Sequence, residues 1–292
     1  MMSIKNVEAV IAPPRPHFVG DGFRVHGFIP GDPRLNFQRM DPFLVMDYNS
    51  KFTFPPSDTP RGVGVHPHKG FETVTIAYKG SVAHNDSSGG GGVIKEGDVQ
   101  WMTAGNGVLH KEFHEEEFSK KGGEFQMVQL WVNLPAEDKK RAPKYQSITK
   151  ESMGRYALEG GAGEIEVISG EYKGTKGAAS TFTPVHLFNA KLKHGKKADF
   201  SFPANYTTAI LIIEGEVVVN GEKEVSTDHF VLFGNEGTDF TIEASEGAIV
   251  LVLGGEPIKE PIAAQGPFVL NTRAELIQAF EDFQNGKFGT LE

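Results

Sequence analysis

The chain of 292 residues contains no cysteine, and this absence excludes several kinds of site. A protein without thiols has no disulfides, no thiolate zinc or iron–sulfur centre and no cysteine nucleophile. Histidine and carboxylate side chains are then the strong metal ligands that remain available.

Positive charge is also scarce, since 29 Lys and Arg residues stand against 38 Asp and Glu, a formal net charge of −9. An acidic balance argues against direct nucleic-acid binding, which needs a basic face. No apolar run approaches the roughly 18 residues of a membrane-spanning helix, and the N-terminal residues lack the apolar core of a signal peptide. We therefore expect an intracellular, cytoplasmic protein that binds neither membranes nor nucleic acid directly.

Helix signals are rare, whereas glycine and proline are abundant, at 35 and 17 residues. Together they make about 18% of the chain against a usual ~12%, which favours short strands joined by turns. Runs rich in β-branched and aromatic residues predict strands at residues 71–78, 99–102, 108–113, 127–134, 209–213, 216–220, 230–233 and 248–253.

The two halves of the chain follow a similar plan. Residues 73–82 align with residues 208–217, and each segment predicts a hairpin of strand, glycine turn and strand. The charged, proline-bounded segment 136–143 is the best linker candidate. We predict an all-β protein of two tandem barrels, with an N-terminal domain at residues 1–140 and a C-terminal domain at residues 141–292.

One helix is predicted, near residues 272–285. Thr272 and Glu275 have the spacing of a capping box, in which the two residues satisfy each other's backbone N–H groups. Leu276, Phe280 and Phe283 then share one helical face, which would pack on one of the domains.

Two short motifs have the residue types and spacing of metal ligands. His66 and His68 are two residues apart, and so are His110 and Glu112. Side chains two apart on a strand point to the same face, about 7 Å apart. Two such pairs on neighbouring barrel strands could converge on one divalent ion and leave coordination positions for water, substrate or dioxygen.

Two other residues compete for the same role. Glu72 lies four residues after His68, a spacing at which many metal-binding β-barrels supply a carboxylate ligand. His114 would share the face of Glu112 if the strand continued, although the three glutamates that follow it favour a solvated loop. The remaining histidines stand without such a partner in our interpretation.

Five segments, in order from residue 41 to residue 272, carry a family resemblance. The two longest are residues 66–74 (HPHKGFETV) and 97–112 (GDVQWMTAGNGVLHKE). Residues 41–44, 129–134 and 266–272 add shorter matches. On these segments the chain resembles the pirins, a family of the cupin superfamily.

Resemblance to pirins implies a bicupin of two β-barrels, with a short C-terminal helix here and a metal, usually iron, in the N-terminal barrel. The family's ligands are three histidines and a glutamate, and the matching positions are His66, His68, His110 and Glu112. Because the family's glutamate follows the last histidine by two residues, Glu72 is left with a structural role. Asn106, where many pirins have a basic residue, departs from the pattern in a turn and affects no ligand.

The second half of the chain lacks the corresponding residues. Extending the internal alignment places Ser201 and Pro203 opposite His66 and His68, and neither is a plausible ligand. We therefore expect a C-terminal cupin domain without metal ligands.

The resemblance implies two functions. The first is a metal-dependent dioxygenase of the quercetin 2,3-dioxygenase type, which takes dioxygen and a flavonol-like aromatic substrate at one divalent ion. Fe(II) is the expected metal, with Mn, Ni, Cu or Zn as alternatives, and Glu112 would also serve as a base toward the substrate. The alternative is a non-enzymatic metal and redox sensor that regulates through a protein partner.

Overall fold

The computed structural model describes residues 3–292, of which about half lie in strands. The α-helices within this range are α1 (Phe37–Met40), α2 (Glu116–Lys121) and α3 (Arg273–Gln284), and two 3-10 turns lie at Pro33–Leu35 and Glu159–Gly161. The predicted all-β architecture of two cupin barrels with a short C-terminal helix is confirmed.

Each of the predicted strands overlaps a strand of the structure. In chain order the strands are β1 (Val7–Ile11), β2 (His17–Val19), β3 (Phe23–Ile29), β4 (Phe43–Phe54), β5 (Gly62–His68), β6 (Phe71–Lys79), β7 (Val82–Asp86), β8 (Gly91–Ile94), β9 (Val99–Thr103), β10 (Val108–His114), β11 (Gly123–Asn133), β12 (Lys144–Ile148), β13 (Gly154–Ala157), β14 (Gly163–Ser169), β15 (Glu171–Tyr172), β16 (Thr175–Lys176), β17 (Val185–Leu192), β18 (Lys197–Ser201), β19 (Thr207–Glu214), β20 (Val217–Val219), β21 (Lys223–Val225), β22 (Phe230–Phe233), β23 (Asp239–Ala244), β24 (Ala248–Gly255), β25 (Ala263–Gln265) and β26 (Phe268–Leu270).

The chain forms two compact units, and each is built from two segments. The first unit, called here the N-terminal barrel, comprises Pro14–Lys150 and Ile258–Glu292. The second, the C-terminal barrel, comprises Glu151–Pro257 and the segment that ends at Pro13. This differs from the division at residue 140 expected from the sequence, because β1 pairs with β22 of the C-terminal barrel.

Both barrels pair a seven-stranded sheet with a four-stranded one. In the N-terminal barrel the orders are β12-β9-β6-β11-β4-β3-β2 and β5-β10-β7-β8, and in the C-terminal barrel they are β1-β22-β19-β24-β17-β14-β13 and β18-β23-β20-β21. The two topologies correspond strand by strand. All of the strand pairs in these four sheets are antiparallel, which suits barrels with one buried inner face and one solvated outer face.

The repeated glycine turn differs from the predicted hairpin. Gly80 and Gly215 have φ of +80° and +78°, a left-handed conformation that favours glycine. The strands on either side of each glycine do not pair with each other within the described residues, since β6 and β19 lie in the seven-stranded sheets and β7 and β20 in the four-stranded ones. The turn therefore carries the chain from one sheet of a barrel to the other.

Helix α3 belongs to the unit of the N-terminal barrel. Thr272 caps it, with the reciprocal bonds of a capping box to Glu275. Leu276 and Ala279 are buried against Phe268, whereas Phe283, predicted on the same face, is 39% exposed. The predicted helix is confirmed, and its buried face is turned slightly away from the predicted one.

The segment 136–143, the linker candidate, lies inside the N-terminal barrel. Its Lys139 is buried and donates hydrogen bonds to Asn133 Oδ1 (2.6 Å) and to the carbonyl oxygens of Gly70 (2.8 Å) and Val269 (3.2 Å). Three oxygen partners satisfy the buried ammonium group of Lys139, so this residue anchors the segment to the unit although most of its other residues are exposed. The compact unit continues to Lys150.

No helix in residues 3–292 has the length and apolar character required to cross a bilayer.

Candidate metal centre

Neighbouring strands of the four-stranded sheet position the predicted ligands. β5 carries His66 and His68, and β10 carries His110 and Glu112. In the antiparallel pairing His110 lies opposite His66, and the register shifts between His110 and Glu112. The alternation of side chains along a strand turns His110 and Glu112 inward, as the spacing predicts.

His66, His68 and His110 form one group. Each offers a ring nitrogen, and these three atoms lie within 4.8 Å of one another. Among residues 3–292, His68 Nδ1 and His110 Nε2 are buried without a hydrogen-bond partner. Because buried polar atoms are nearly always satisfied, two buried imidazole nitrogens without partners on histidines of this group fit lone pairs that would face a cation.

The protonation of two of these imidazoles also suits a cation. Burial, followed by the neighbouring His66, holds the pKa of His68 well below its usual value. Burial, followed by His68, does the same to the pKa of His110. Neutral imidazoles are the form that ligates a metal.

Glu112 belongs to a second group, which overlaps the first. Its carboxylate and the rings of His110 and His84 offer ligand atoms that lie within 4.8 Å of one another. Glu112 Oε2 accepts a hydrogen bond from Gln129 Nε2 (2.8 Å), and Oε1 accepts from Thr75 Oγ1 (3.3 Å). The structure therefore brings the four predicted ligands into two groups that share His110.

His84 is the residue that the sequence interpretation missed. It lies on β7, opposite Glu112, and its side chain is fully buried. His84 and Asp86 are two residues apart and both face inward. This is the same i, i+2 spacing that selected the other two pairs, so the signal was present in the sequence.

Asp86 lies opposite His110 on the neighbouring strand. Burial acts to raise the pKa of Asp86, but hydrogen bonds from His84, Ser88 and Gly90 outweigh it and lower the pKa to about 2.

The two competing candidates have other roles. Glu72 is buried and accepts a hydrogen bond from Thr103 Oγ1 (2.7 Å), and burial raises its pKa to about 7. His114 is buried among phenylalanine rings, and its Nε2 lies 2.8 Å from the carbonyl oxygen of Gly22. It is thus the next inward residue of β10 and does not lie in a solvated loop. Neither belongs to a metal-capable group in the described part of the chain.

A small cavity of about 30 Å³ adjoins the site, and His66, Glu112 and Gln129 contribute polar groups to its lining. Asp47, which pairs with Gln129 in the strand register, adds a second carboxylate, and burial raises its pKa to about 6 against the opposing effect of His17. The rest of the lining is apolar and consists of Val19, Phe23, Val25, Val63 and Met127.

The residues fit a divalent transition metal. The donors are imidazole nitrogens and a carboxylate, a set that suits iron, manganese, nickel, copper and zinc. The two unpartnered ring nitrogens lie in the histidine group.

The C-terminal barrel contains no comparable group among residues 3–292. Ser201, aligned with His66, faces outward, and its neighbour Phe200 is buried. His186, His194 and His229 join no cluster of potential ligands in the described residues.

Comparison with known proteins gives consistent matches. Residues 22–132 match the family model Pirin, and residues 187–289 match the Pirin C-terminal cupin domain. A Pseudomonas aeruginosa protein provisionally named quercetin 2,3-dioxygenase is 43% identical over 285 residues, 98% of this chain and 99% of its own length. Pirin of Homo sapiens is 37% identical over 276 residues, 92% of this chain and 89% of its own.

The fold also matches a solved structure. A crystal structure of quercetin 2,3-dioxygenase from Acinetobacter baumannii superposes with a TM-score of 0.92 at 47% identity, covering 99% of this chain and 100% of that one.

Proposed function

The chain belongs to the pirin family, and on this premise we propose that it is a metal-dependent dioxygenase of the quercetin 2,3-dioxygenase type. Its substrates are dioxygen and a flavonol-like aromatic molecule. One divalent ion, Fe(II) in the first instance, is bound by His66, His68, His110 and Glu112. The names carried by the relatives from Pseudomonas aeruginosa and Acinetobacter baumannii support the reaction class.

The observation that carries this proposal is the group of three imidazoles beside a cavity that contains carboxylates. Burial lowers the pKa values of His68 and His110, which favours their neutral forms, and each ring has an unpartnered nitrogen within the described residues. His66 borders the cavity. When bound, a divalent ion supplies Lewis-acid and redox chemistry at this position.

Glu112 has a second role, as the base for a substrate hydroxyl. Its carboxylate is oriented by Gln129 and Thr75 and also lines the cavity. The proton leaves the hydroxyl oxygen and is taken by a carboxylate oxygen, which raises the electron density on the substrate oxygen. Asp47, on the same cavity, offers a further acceptor to a second hydroxyl.

The size of the cavity sets a condition on substrate entry. A volume of about 30 Å³ holds dioxygen or a water molecule, whereas sites for drug-sized ligands need roughly 300 Å³ or more. A flavonol therefore enters only when lining side chains move. Met127, with its flexible thioether, and the half-buried Val19 and Val63 are the side chains that we expect to move.

The test is aerobic turnover of quercetin by protein loaded with iron, manganese, nickel or copper. We expect product and dioxygen consumption with at least one metal, and loss of both in the His68→Ala variant. A wild-type protein that binds each metal and forms no product with any of them would defeat the dioxygenase proposal.

The small cavity also favours a second candidate function, the metal and redox sensor that acts through a protein partner. In that case the site holds iron without admitting a large substrate, and the oxidation state changes a docking surface. Hydrogen exchange of the Fe(II) and Fe(III) forms tests this function. Identical exchange in both forms would exclude it.

A further inference from the structure

His84 and Asp86 form a hydrogen-bonded relay that leads to His110. His84 Nε2 lies 3.4 Å from Asp86 Oδ2, and His84 Nδ1 lies 3.4 Å from His110 Nδ1. The ring of His84 stacks on Tyr145, with centroids 5.3 Å apart and 17° between the planes. This stack orients the ring of His84, which lies between Asp86 and His110.

Asp86 is held as an acceptor. Its Oδ1 accepts hydrogen bonds from Ser88 N (2.8 Å), Ser88 Oγ (2.5 Å) and Gly90 N (3.0 Å). The loop can wrap this closely because residue 90 is glycine, where a Cβ atom would lie 2.3 Å from Asp86 Oδ2. An ionised carboxylate can only accept hydrogen bonds, so Oδ2, the oxygen that faces His84, is an acceptor as well. The proton between Asp86 and His84 is thus on His84 Nε2.

Gln100 fixes the other nitrogen of His84. Its amide nitrogen lies 3.1 Å from His84 Nδ1 and 3.5 Å from Glu112 Oε1. The contact with a carboxylate oxygen assigns this atom as the amide N–H group, since two oxygens would repel. An N–H donor facing His84 Nδ1 requires a lone pair there. His84 is therefore protonated at Nε2 only.

The same reasoning assigns His110. Its Nδ1 faces the lone pair of His84 Nδ1, so a second lone pair at this contact would repel and Nδ1 must carry the proton. His110 Nε2 is then unprotonated, and it is one of the two buried nitrogens of the histidine group without a partner among residues 3–292.

We propose that Asp86, acting through His84, fixes His110 in the tautomer whose Nε2 lone pair points into the metal group. His84 and Asp86 are positioning residues for metal binding, and the glycine run 89–92 serves to enclose Asp86. The inference rests on the proposed metal centre and is independent of the proposed dioxygenase reaction. Partners of this kind that orient a ligand histidine typically change metal affinity by about 10- to 100-fold when removed.

Asp86→Asn is the sharpest variant. The amide can keep its oxygen toward Ser88 and Gly90, which leaves its N–H₂ group facing His84. His84 Nε2 must then accept, and its proton moves to Nδ1, where it requires the Gln100 amide to rotate so that Oε1, which has no partner among the described residues, accepts from it. His110 is thereby driven to the Nε2–H tautomer. His84→Phe removes the acceptor altogether while it keeps the stack on Tyr145. Asn85→Ala, an exposed position on the same strand, is the matched control.

The experiment is nitrogen-15 NMR of the histidine rings in the metal-free protein, with Co(II) affinity measured by visible absorption. We expect Nδ1–H on His110 in the wild type and the control, Nε2–H in Asp86→Asn, and Co(II) affinity lowered about 10- to 100-fold in both relay variants. Melting temperature and circular dichroism establish that each variant is folded.

Two results would overturn the relay. One is an Nε2–H tautomer of His110 in the wild-type protein, a result that the wild-type NMR spectrum gives without any variant. The other is a folded Asp86→Asn or His84→Phe protein with wild-type Co(II) affinity. A wild type with the expected tautomer and tight Co(II) binding, but no quercetin turnover, would reject the proposed reaction and leave the relay intact.

Discussion

The two barrels have the same strand order and opposite kinds of interior. On the four-stranded sheet of the N-terminal barrel, the inward positions of β10 are Val108, His110, Glu112 and His114. On the corresponding strand β23 of the C-terminal barrel they are Phe240, Ile242 and Ala244. The sheet topology is thus compatible with a polar site or with a dry core, and the inward residues decide between them.

The polar interior depends on neighbours that the apolar interior does not need. Thr75, Gln100 and Gln129 supply hydrogen bonds to Glu112 or His84. A buried polar group without such partners costs roughly 1–3 kcal/mol. In the C-terminal barrel, Phe240 instead packs on Phe200 and Phe233, with ring centroids 5.2 and 4.5 Å away.

The largest effect is expected from Phe240→Ala, in the apolar interior of the C-terminal barrel. Phe240 is 1% exposed, and loss of its ring leaves a cavity that we expect to lower the free energy of unfolding by about 3–5 kcal/mol. Urea unfolding measures this loss, and Phe240→Leu should lose less. Co(II) affinity of the folded variant should equal that of the wild type, and a parallel fall in affinity would contradict the separation of roles.

Removal of the His110 side chain should weaken metal binding by the N-terminal barrel. His110→Ala deletes the residue shared by both potential ligand groups, so we expect Co(II) affinity to fall by at least about 100-fold. Isothermal titration measures the affinity. His194→Ala, at an exposed position of the C-terminal barrel, is the control and should bind normally. Tight binding by His110→Ala would place the metal elsewhere.

Glu72 provides a pH-dependent comparison. Burial raises its pKa from 4.5 to about 7 in the folded state, so the stability it contributes is present below pH 4.5 and lost as the pH rises through 7. Glu72→Gln removes this loss, and the stability of the variant relative to the wild type should increase by roughly 3 kcal/mol between pH 4 and pH 8. The exposed Glu243→Gln in β23 is the control. Parallel stability profiles for Glu72→Gln and the wild type would show that the Glu72 carboxyl has no raised pKa.

The smallest effect is expected at the cap of α3. Thr272→Ala removes the hydroxyl that accepts from Glu275 N at 3.2 Å and should cost about 1 kcal/mol. Because α3 belongs to the unit of the N-terminal barrel, faster amide exchange should be confined to that unit. Thr272→Ser keeps the cap and should restore protection. Faster exchange in the C-terminal barrel would contradict this assignment.

Local patterns predicted most of the fold. The strands over residues 71–78 and 248–253 were visible as apolar, β-branched runs, and both are strands of the structure. The capping box at Thr272 marked the start of α3. These signals depend on near neighbours in the chain, which the sequence displays directly.

The remaining features depend on contacts between distant residues. The pairing of β1 with β22 joins segments more than 200 residues apart, and no local pattern specifies it. His84 has the same spacing to Asp86 as His110 has to Glu112, but its approach to the site follows from the pairing of β7 with β10, which local spacing does not reveal. Glu112 groups with His84 and His110, whereas His66 and His68 group with His110, and spacing alone does not reveal this division.

The most direct test of the central claim is element-specific anomalous diffraction from crystals of protein loaded with one equivalent of Fe(II) or Zn(II). Data collected on both sides of the metal's absorption edge locate each ion without reference to activity. We predict one peak per chain, among His66, His68, His110 and Glu112, and none in the C-terminal barrel. A peak within the C-terminal barrel, or a loaded protein with no peak at these four residues, would contradict the account.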